Sequence, residues 1–393
     1  MSSTIRQPLS SAVETQALEG LRHRRIVIKA GTSILTKPPE HQALDLKVMA
    51  DLVRQICVLR KLGAEALLVT SGAISAGREV LGAGKDRSDR DIPTRQVMAA
   101  VGQSRLMHTY QEMFASHGFQ VAQTLLTIDD LSDRQSYLNV RNTLLGLLEL
   151  GVVPILNEND VVAVDEIGEV FGDNDRLSAL VANLVDADLL VVLSNVDGLY
   201  TADPNVDPTA RLIPEVDQVD ASLESVAGKN RNPWARGGMR TKLEAARLVT
   251  TSGISMVICH GKKDDAILRA ARGDAVGTLF RPGAGKLEAR KRWMLSGISH
   301  KREVIVDAGA VSALQEHNRS LLPAGITGVN GEFQRGEIVY IVGQQGRRIA
   351  CGIANYESEA ISRIRGIRSD HIQDTLGYDY GQEVVHRNNL VLL

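Results

Sequence analysis

Six short runs of β-branched and aliphatic residues punctuate the first two-thirds of this chain, and most of them break off into glycine, hydroxyl, amide or carboxylate residues. They are Arg25 to Lys29, Ala66 to Thr70, Gln120 to Leu126, Val152 to Leu156, Leu189 to Leu193 and Ser255 to Cys259. Amphipathic segments lie between several of them. Leu46 to Leu62 carries Met49, Leu52, Val53, Ile56 and Leu59 on one stripe, Arg134 to Leu150 is closed by Gly151, and Asp175 to Val185 aligns Leu177, Leu180, Val181 and Leu184. Apolar strands alternating with helices predict an α/β three-layer sandwich around a mostly parallel sheet, because only helices on both faces make strands apolar on both sides. In such sheets ligands bind beyond the carboxyl ends of the strands, so the chemistry is sought in the residues after each run.

The first run delivers Lys29 and then Gly31-Thr32-Ser33. A lysine at a strand end suits an anion, although a lone one is more often plain surface. Ser71 and Gly72 follow the second run, where the serine either holds a small carboxylate or caps a helix. Asn157-Glu158-Asn159-Asp160 follows a strand containing Pro154, a residue unusual in a central strand. Four polar side chains there need water or a ligand. Gly172-Asp173-Asn174-Asp175 opens a helix, with Asp173 and Asn174 as expected caps and Asp175 placed to orient lysines. Ser194-Asn195-Val196-Asp197-Gly198 ends the fifth run and reads either as a nucleotide rest or as turn chemistry.

Arg236-Gly237-Gly238-Met239-Arg240-Thr241-Lys242 is the strongest phosphate signal. Paired glycines let backbone N–H groups approach an anion, the helix start adds partial positive charge, and Lys242 lies one turn in. A structural turn before a helix explains the same letters. No segment fits Gly-x-x-x-x-Gly-Lys-Ser/Thr or Gly-x-Gly-x-x-Gly, so the chain has neither a P-loop nor a dinucleotide fingerprint.

The pattern changes near Phe280. Arg281-Pro282-Gly283 and a charged stretch predict a linker over 281–299, followed by β-type runs at Glu303 to Val306, Ile338 to Val342 and Ile349 to Ala354. The expected organisation is an extension over 1–23, an α/β unit over 24–280, and a small β-rich domain with tail over 300–393. With 45 Lys and Arg against 47 Asp and Glu, the whole chain has no charge excess to attract nucleic acid or anionic membranes. The C-terminal domain, with 10 basic and 11 acidic residues over 301–393, lacks the basic footprint of an RNA binder. Cys57, Cys259 and Cys351 lie far apart in apolar stretches, which predicts buried thiols and a reducing, cytoplasmic setting. No run suits a membrane span, and residues 1–24 lack the apolar centre of a secretion signal.

Taken in order, these segments resemble the glutamate 5-kinases of the amino-acid kinase superfamily. The resemblance rests on Lys29-Ala30-Gly31-Thr32-Ser33, Val69-Thr70-Ser71-Gly72-Ala73-Ile74, Val101-Gly102-Gln103-Ser104-Arg105, Asn157-Glu158-Asn159-Asp160, Gly172-Asp173-Asn174-Asp175, Asp197-Gly198-Leu199-Tyr200-Thr201-Ala202-Asp203-Pro204 and Gly237-Gly238-Met239. The C-terminal domain is similar to the PUA module, through Ser320-Leu321-Leu322-Pro323-Ala324-Gly325-Ile326 and Gly331-Glu332-Phe333-Gln334-Arg335-Gly336-Glu337.

The resemblance implies the amino-acid kinase fold and transfer of the ATP γ-phosphoryl group to the side-chain carboxylate of L-glutamate. It implies that Ser71, Asp160 and Asn174 hold glutamate. Lys29 and Lys242 would stabilise the transferring group, with Asp175 organising both. Gly31, Ser194, Asn195, Arg236, Gly237, Gly238, Met239, Arg240 and Thr241 join the two lysines as expected ATP-binding residues. Mg2+ would arrive on the ATP phosphates, with no dedicated metal site in the protein. Feedback inhibition by proline, a homodimer or homotetramer, and the next pathway enzyme as a partner are also implied.

Three departures stand at the nucleotide side. Asn195 replaces the usual aspartate, Arg236 stands where the family has threonine, and Arg240 replaces a small residue. Two guanidinium groups there either grip phosphate or pair with surface acids. The rival readings are another amino-acid kinase acting on carbamate, UMP, aspartate or acetylglutamate, and an RNA-binding factor.

Overall fold

The computed structural model describes residues 20–37, 43–82, 92–163, 174–204, 206–220, 223, 238–283, 285, 302–344 and 346–393. The chain divides into two compact units. One comprises the chain up to Ile128 and Thr143–Gly283, and the other Asp129–Asn142 and the chain from Ala284 onward.

The first unit follows the alternation read from the sequence. Its elements in chain order are β1 (Arg25–Ala30), α1 (Leu46–Lys61), β2 (Glu65–Thr70), α2 (Ala73–Leu81), α3 (Ile92–Ser116), β3 (Val121–Leu126), α4 (Arg134–Glu149), β4 (Val153–Glu158), α5 (Asn174–Leu184), β5 (Leu189–Ser194), β6 (Glu215–Val216), α6 (Met239–Thr251), β7 (Ser255–His260), α7 (Ala266–Arg272) and β8 (Gly277–Phe280). The strands form one sheet in the order β3-β4-β2-β1-β5-β7-β8-β6. All pairings are parallel except β7 with β8. Ile26, Ile28, Leu68, Val191 and Val257 pack with the α1 stripe of Met49, Leu52, Val53 and Ile56 in one core. β5 is buried at every position, which is the reason its sequence is a continuous apolar run.

Pro154 fits its strand because β4 pairs with β2 only at Ile155 and Leu156. The ladder on that side begins just past the residue that has no N–H to give. Helix α3 was not legible in advance. Its buried side includes Arg95, Gly102 and Thr109 beside Met98, Leu106, Tyr110 and Phe114, which blurs the apolar period.

The second unit holds β9 (Glu303–Val306), α8 (Ala308–Gln315), β10 (Ile326–Asn330), β11 (Ile338–Gly343), β12 (Arg348–Ile353), α9 (Ser358–Ile364) and β13 (Leu390–Leu392). Its sheet runs β10-β9-β11-β12-β13. Only β9 and β11 pair in parallel. The sheet is covered on both faces. Val339 and Ile341 join Val304, Phe333, Tyr356 and Ile361 on one side. On the other side Ile338, Tyr340 and Val342 pack with Cys351, Ile353, Val391 and Leu138, the last from the first half of α4. Alternate residues of β11 therefore reach two cores, which accounts for its complete burial. Buried Arg141, also on α4, donates to the Asn389 side chain and to the Asn388 carbonyl. The expected linker and the N-terminal extension lie mostly outside the described residues.

Candidate active site

The carboxyl ends of the parallel strands bring the separate motifs together. Lys29 is the fifth residue of β1, and its pairing with Val69 and Val192 sets it in mid-sheet between β2 and β5. Asp175 lies in the first turn of α5 and is completely buried. Its Oδ1 is 2.6 Å from Lys29 Nζ, and its Oδ2 is 3.1 Å from Lys242 Nζ. Thr241 Oγ1 lies 2.7 Å from the same Oδ2 and 2.9 Å from the Gly238 carbonyl. Lys29 and Lys242 are each only 6% exposed. Gly31 gives Lys29 room to fold over, since a Cβ there would fall 2.9 Å from its Nζ.

Two ammonium groups against one carboxylate leave a buried excess of positive charge. Burial opposes the charge on Asp175, yet Lys29 and Lys242, with hydrogen bonds from Lys29 and Thr241, hold its carboxyl below the ordinary value. Asp175 is thus held as a carboxylate between two lysines, an arrangement whose charge calls for an anion.

Beside this centre lies a chain of amides. Asn174, 6% exposed, directs Nδ2 at the Thr70 carbonyl (2.9 Å), Ser71 Oγ (2.8 Å) and Asn157 Oδ1 (3.1 Å). Asn157 Nδ2 in turn donates to Gln103 Oε1 at 2.9 Å. Asn174 does not cap its helix as expected. It is the first helical residue, and its amide serves β2 and Ser71 instead. Ser71 is not a cap either, because α2 is preceded by Gly72 with no side-chain cap. Gly72 turns the chain at φ 106°, a conformation that other residues adopt at a cost. Behind Thr70, fully buried Tyr110 places its hydroxyl 2.8 Å from Thr70 Oγ1.

Asp160 is half-buried in the turn after β4. At the carboxyl end of β5, Ser194 is buried and Asn195 exposed. Met239 opens α6 after Gly238, whose side of the helix carries no cap. Arg240 is exposed and pairs with Glu244 one turn on, at 3.1 Å. Arg236, Gly237 and Asp173 lie outside the described residues. Three contributions had no role assigned in advance. These are Gln103 and Asn157, present only as letters in motifs, and the Lys263–Asp197 ion pair at 2.8 Å beyond β7 and β5.

The class follows from this arrangement. A mostly parallel sheet with a lysine–aspartate–lysine centre at its strand ends matches the amino acid kinase family over residues 24–260, with a PUA domain over residues 302–376. The chain is 50% identical over 377 residues to the glutamate 5-kinase of Dehalococcoides mccartyi, covering 96% of this chain and all of that protein. It is 50% identical over 369 residues to the glutamate 5-kinase of Herpetosiphon aurantiacus, covering 94% and 98% of the two chains. The glutamate 5-kinase of Thermus thermophilus is 47% identical over 373 residues, covering 95% and 98%. The chain belongs to the glutamate 5-kinase family, within the amino acid kinases.

Proposed function

We infer that this chain transfers the γ-phosphoryl group of ATP to the side-chain carboxylate of L-glutamate, giving L-glutamyl 5-phosphate and ADP, the opening step of proline synthesis. The observation that carries the reading is the buried, positively charged centre of Lys29, Asp175 and Lys242 beside the Asn174–Ser71 amide and hydroxyl pair.

A carboxylate is already a nucleophile, so no base is required. One carboxylate oxygen bonds to the γ-phosphorus while the bond to the β–γ bridging oxygen breaks, and ADP leaves with that electron pair. Positioning and charge supply the acceleration. Lys29 and Lys242 hold the charge on the transferring group, and Asp175 fixes both ammoniums. Ser71, Asn174 and Asp160 hold glutamate, while Gly31, Ser194, Asn195 and the Arg236–Lys242 segment hold the nucleotide. Among the described residues no three His, Cys, Asp or Glu side chains gather as a metal site. In this reading Mg2+ would arrive on the ATP phosphates and neutralise charge there. Proline inhibits by competing at the glutamate end, and the working enzyme is a homo-oligomer.

The test is ATP turnover in the presence of hydroxylamine, which traps the acyl phosphate as a hydroxamate. Free L-glutamate is expected to give product, with Lys29→Ala and Lys242→Ala abolishing it. No hydroxamate from glutamate, but ATP turnover with UMP, carbamate, aspartate or acetylglutamate, would overturn the substrate. Millimolar proline without effect on the glutamate dependence would overturn the feedback reading.

A further inference from the structure

The amide chain has a direction, and one main-chain oxygen fixes it. The Thr70 carbonyl can only accept, so the atom of Asn174 facing it at 2.9 Å must be the nitrogen. That nitrogen also faces Asn157, which must then present its oxygen, as the 3.1 Å contact has it. Turning Asn157 over would set two donors face to face. Asn157 consequently gives its nitrogen to Gln103, whose oxygen accepts at 2.9 Å. Three amides in series are locked by a single carbonyl, and the polarity at the far end is no longer free.

Two polar atoms are left over. Gln103 Nε2 and Asn174 Oδ1 are both buried and without a hydrogen-bond partner among the described residues. An orphaned buried amide atom costs free energy, and here one atom is a donor and the other an acceptor. They stand at opposite ends of one continuous network. The donor calls for an anionic group and the acceptor for a cationic one, so the two ends suit a ligand that carries both. An α-amino acid is such a ligand.

The sheet supplies the orientation. Strands β1, β2 and β4 lie side by side, with Lys29 at the end of β1 and Asn157, the partner of Gln103, at the end of β4. Two strand spacings, about 10 Å, separate those ends. With the reacting carboxylate at the lysines, an extended dicarboxylic amino acid lays its other carboxylate on the β4 side. We propose that Gln103 is a specificity residue that donates from Nε2 to the α-carboxylate of the acceptor substrate, its donor polarity being imposed from Thr70 through Asn174 and Asn157. The assignment rests on the glutamate reading above and deepens it. It explains how a half-buried, uncharged side chain on α3 can select for a substrate with an α-carboxylate.

Gln103→Glu is the informative variant. It keeps an oxygen for Asn157 and changes only the other atom, from a donor to a charged acceptor. Steady-state kinetics of this variant, of Gln103→Met and of the parent enzyme are compared with L-glutamate, and with L-isoglutamine, the α-amide, as a competitive ligand. Expected is a rise of about 10- to 100-fold in KM for L-glutamate in Gln103→Met, and more in Gln103→Glu, because a lost hydrogen bond to a charged group is joined by repulsion. kcat and the KM for ATP stay within about threefold, since the group meets the substrate far from the reacting atoms. For L-isoglutamine, whose amide N–H can donate to the new carboxylate, the penalty of Gln103→Glu shrinks.

Glutamate KM values within threefold of the parent in both variants would overturn the assignment. So would equal weakening of L-glutamate and L-isoglutamine with kcat falling and ATP KM rising alongside, the mark of a merely structural side chain. A thermal melt of each variant separates that outcome from loss of folding. If the parent enzyme makes no hydroxamate from glutamate, the functional reading fails. If it does and the variants behave as the parent, only the Gln103 assignment fails.

Discussion

Gly102 of α3 lies so close to Gly77 of α2 that a Cβ on Gly102 would sit 2.2 Å from the Gly77 nitrogen and 1.8 Å from the Ala73 carbonyl oxygen. Backbone meets backbone there, with no side-chain end that could swing aside. The contact sets α3, and with it Gln103, against the first turn of the helix that follows Ser71.

Gly102→Ala is therefore expected to force the two helices apart. Overpacking of this kind costs about 1–3 kcal/mol or more, and here it falls on rigid main chain. Chemical denaturation should show a loss at or above that range. The glutamate KM should rise before the ATP KM does, because the displaced elements carry Ser71 and Gln103.

Asp175→Asn removes the carboxylate between two buried ammoniums. Loss of about 10²- to 10³-fold in kcat is expected, of the order seen when one preorganised electrostatic contact is removed. Stability should fall by about 3–5 kcal/mol, the cost of leaving buried charge without its partner. Hydroxamate formation and denaturant unfolding check the two effects separately.

The pH dependence has a definite sign. Burial works to raise the Asp175 carboxyl, but Lys29 and Lys242 outweigh it and hold the folded-state value below 3.8. A depressed carboxyl stabilises the fold above its unfolded value, and that contribution is lost as pH falls through the folded value. Asp175 should thus stay ionised throughout the neutral range and shed its contribution only in strong acid, below about pH 4. Unfolding free energies between pH 6 and pH 3 should fall more steeply for the parent than for Asp175→Asn.

Burial pushes the Cys259 thiol up to about 12 and the Cys57 thiol up to about 11. Both are almost fully shielded from solvent. Iodoacetamide at pH 8 should leave them unlabelled in the native enzyme and modify them promptly in denaturant, as mass spectrometry of the intact chain would show.

Much of this architecture was legible because fully covered parallel strands leave continuous apolar runs. The six runs correspond to β1, β2, β3, β4, β5 and β7 with ends shifted by one or two residues. The antiparallel turn of β8 against β7 was not legible, since direction leaves no mark on a four-residue strand. Helix α3 was hidden by Arg95, Gly102 and Thr109 on its buried side. The motifs announced Lys29, Ser71, Asn174 and Lys242, and the fold brings Lys29 and Lys242 onto Asp175 and Ser71 onto Asn174. Gln103 could be noticed as a letter but not given a task. Its role depends on an amide 54 residues away and on which atom of that amide faces it.

The second unit borrows Leu138 and Arg141 from the first half of α4. A fragment starting at Arg302 would expose Ile338, Tyr340 and Val342 and strand Asn389, so it should melt well below the same fragment supplied with a peptide over 129–142.

That discontinuity also sets a clock on synthesis. At about 5–20 residues per second, the ribosome needs on the order of ten to thirty seconds to pass from Asn142 to Arg302. Throughout that interval Leu138 and the Arg141 guanidinium are already made while their partners do not yet exist. The newborn chain must keep half a helix waiting, and a chain cut short in that interval leaves Leu138 without the core it packs into.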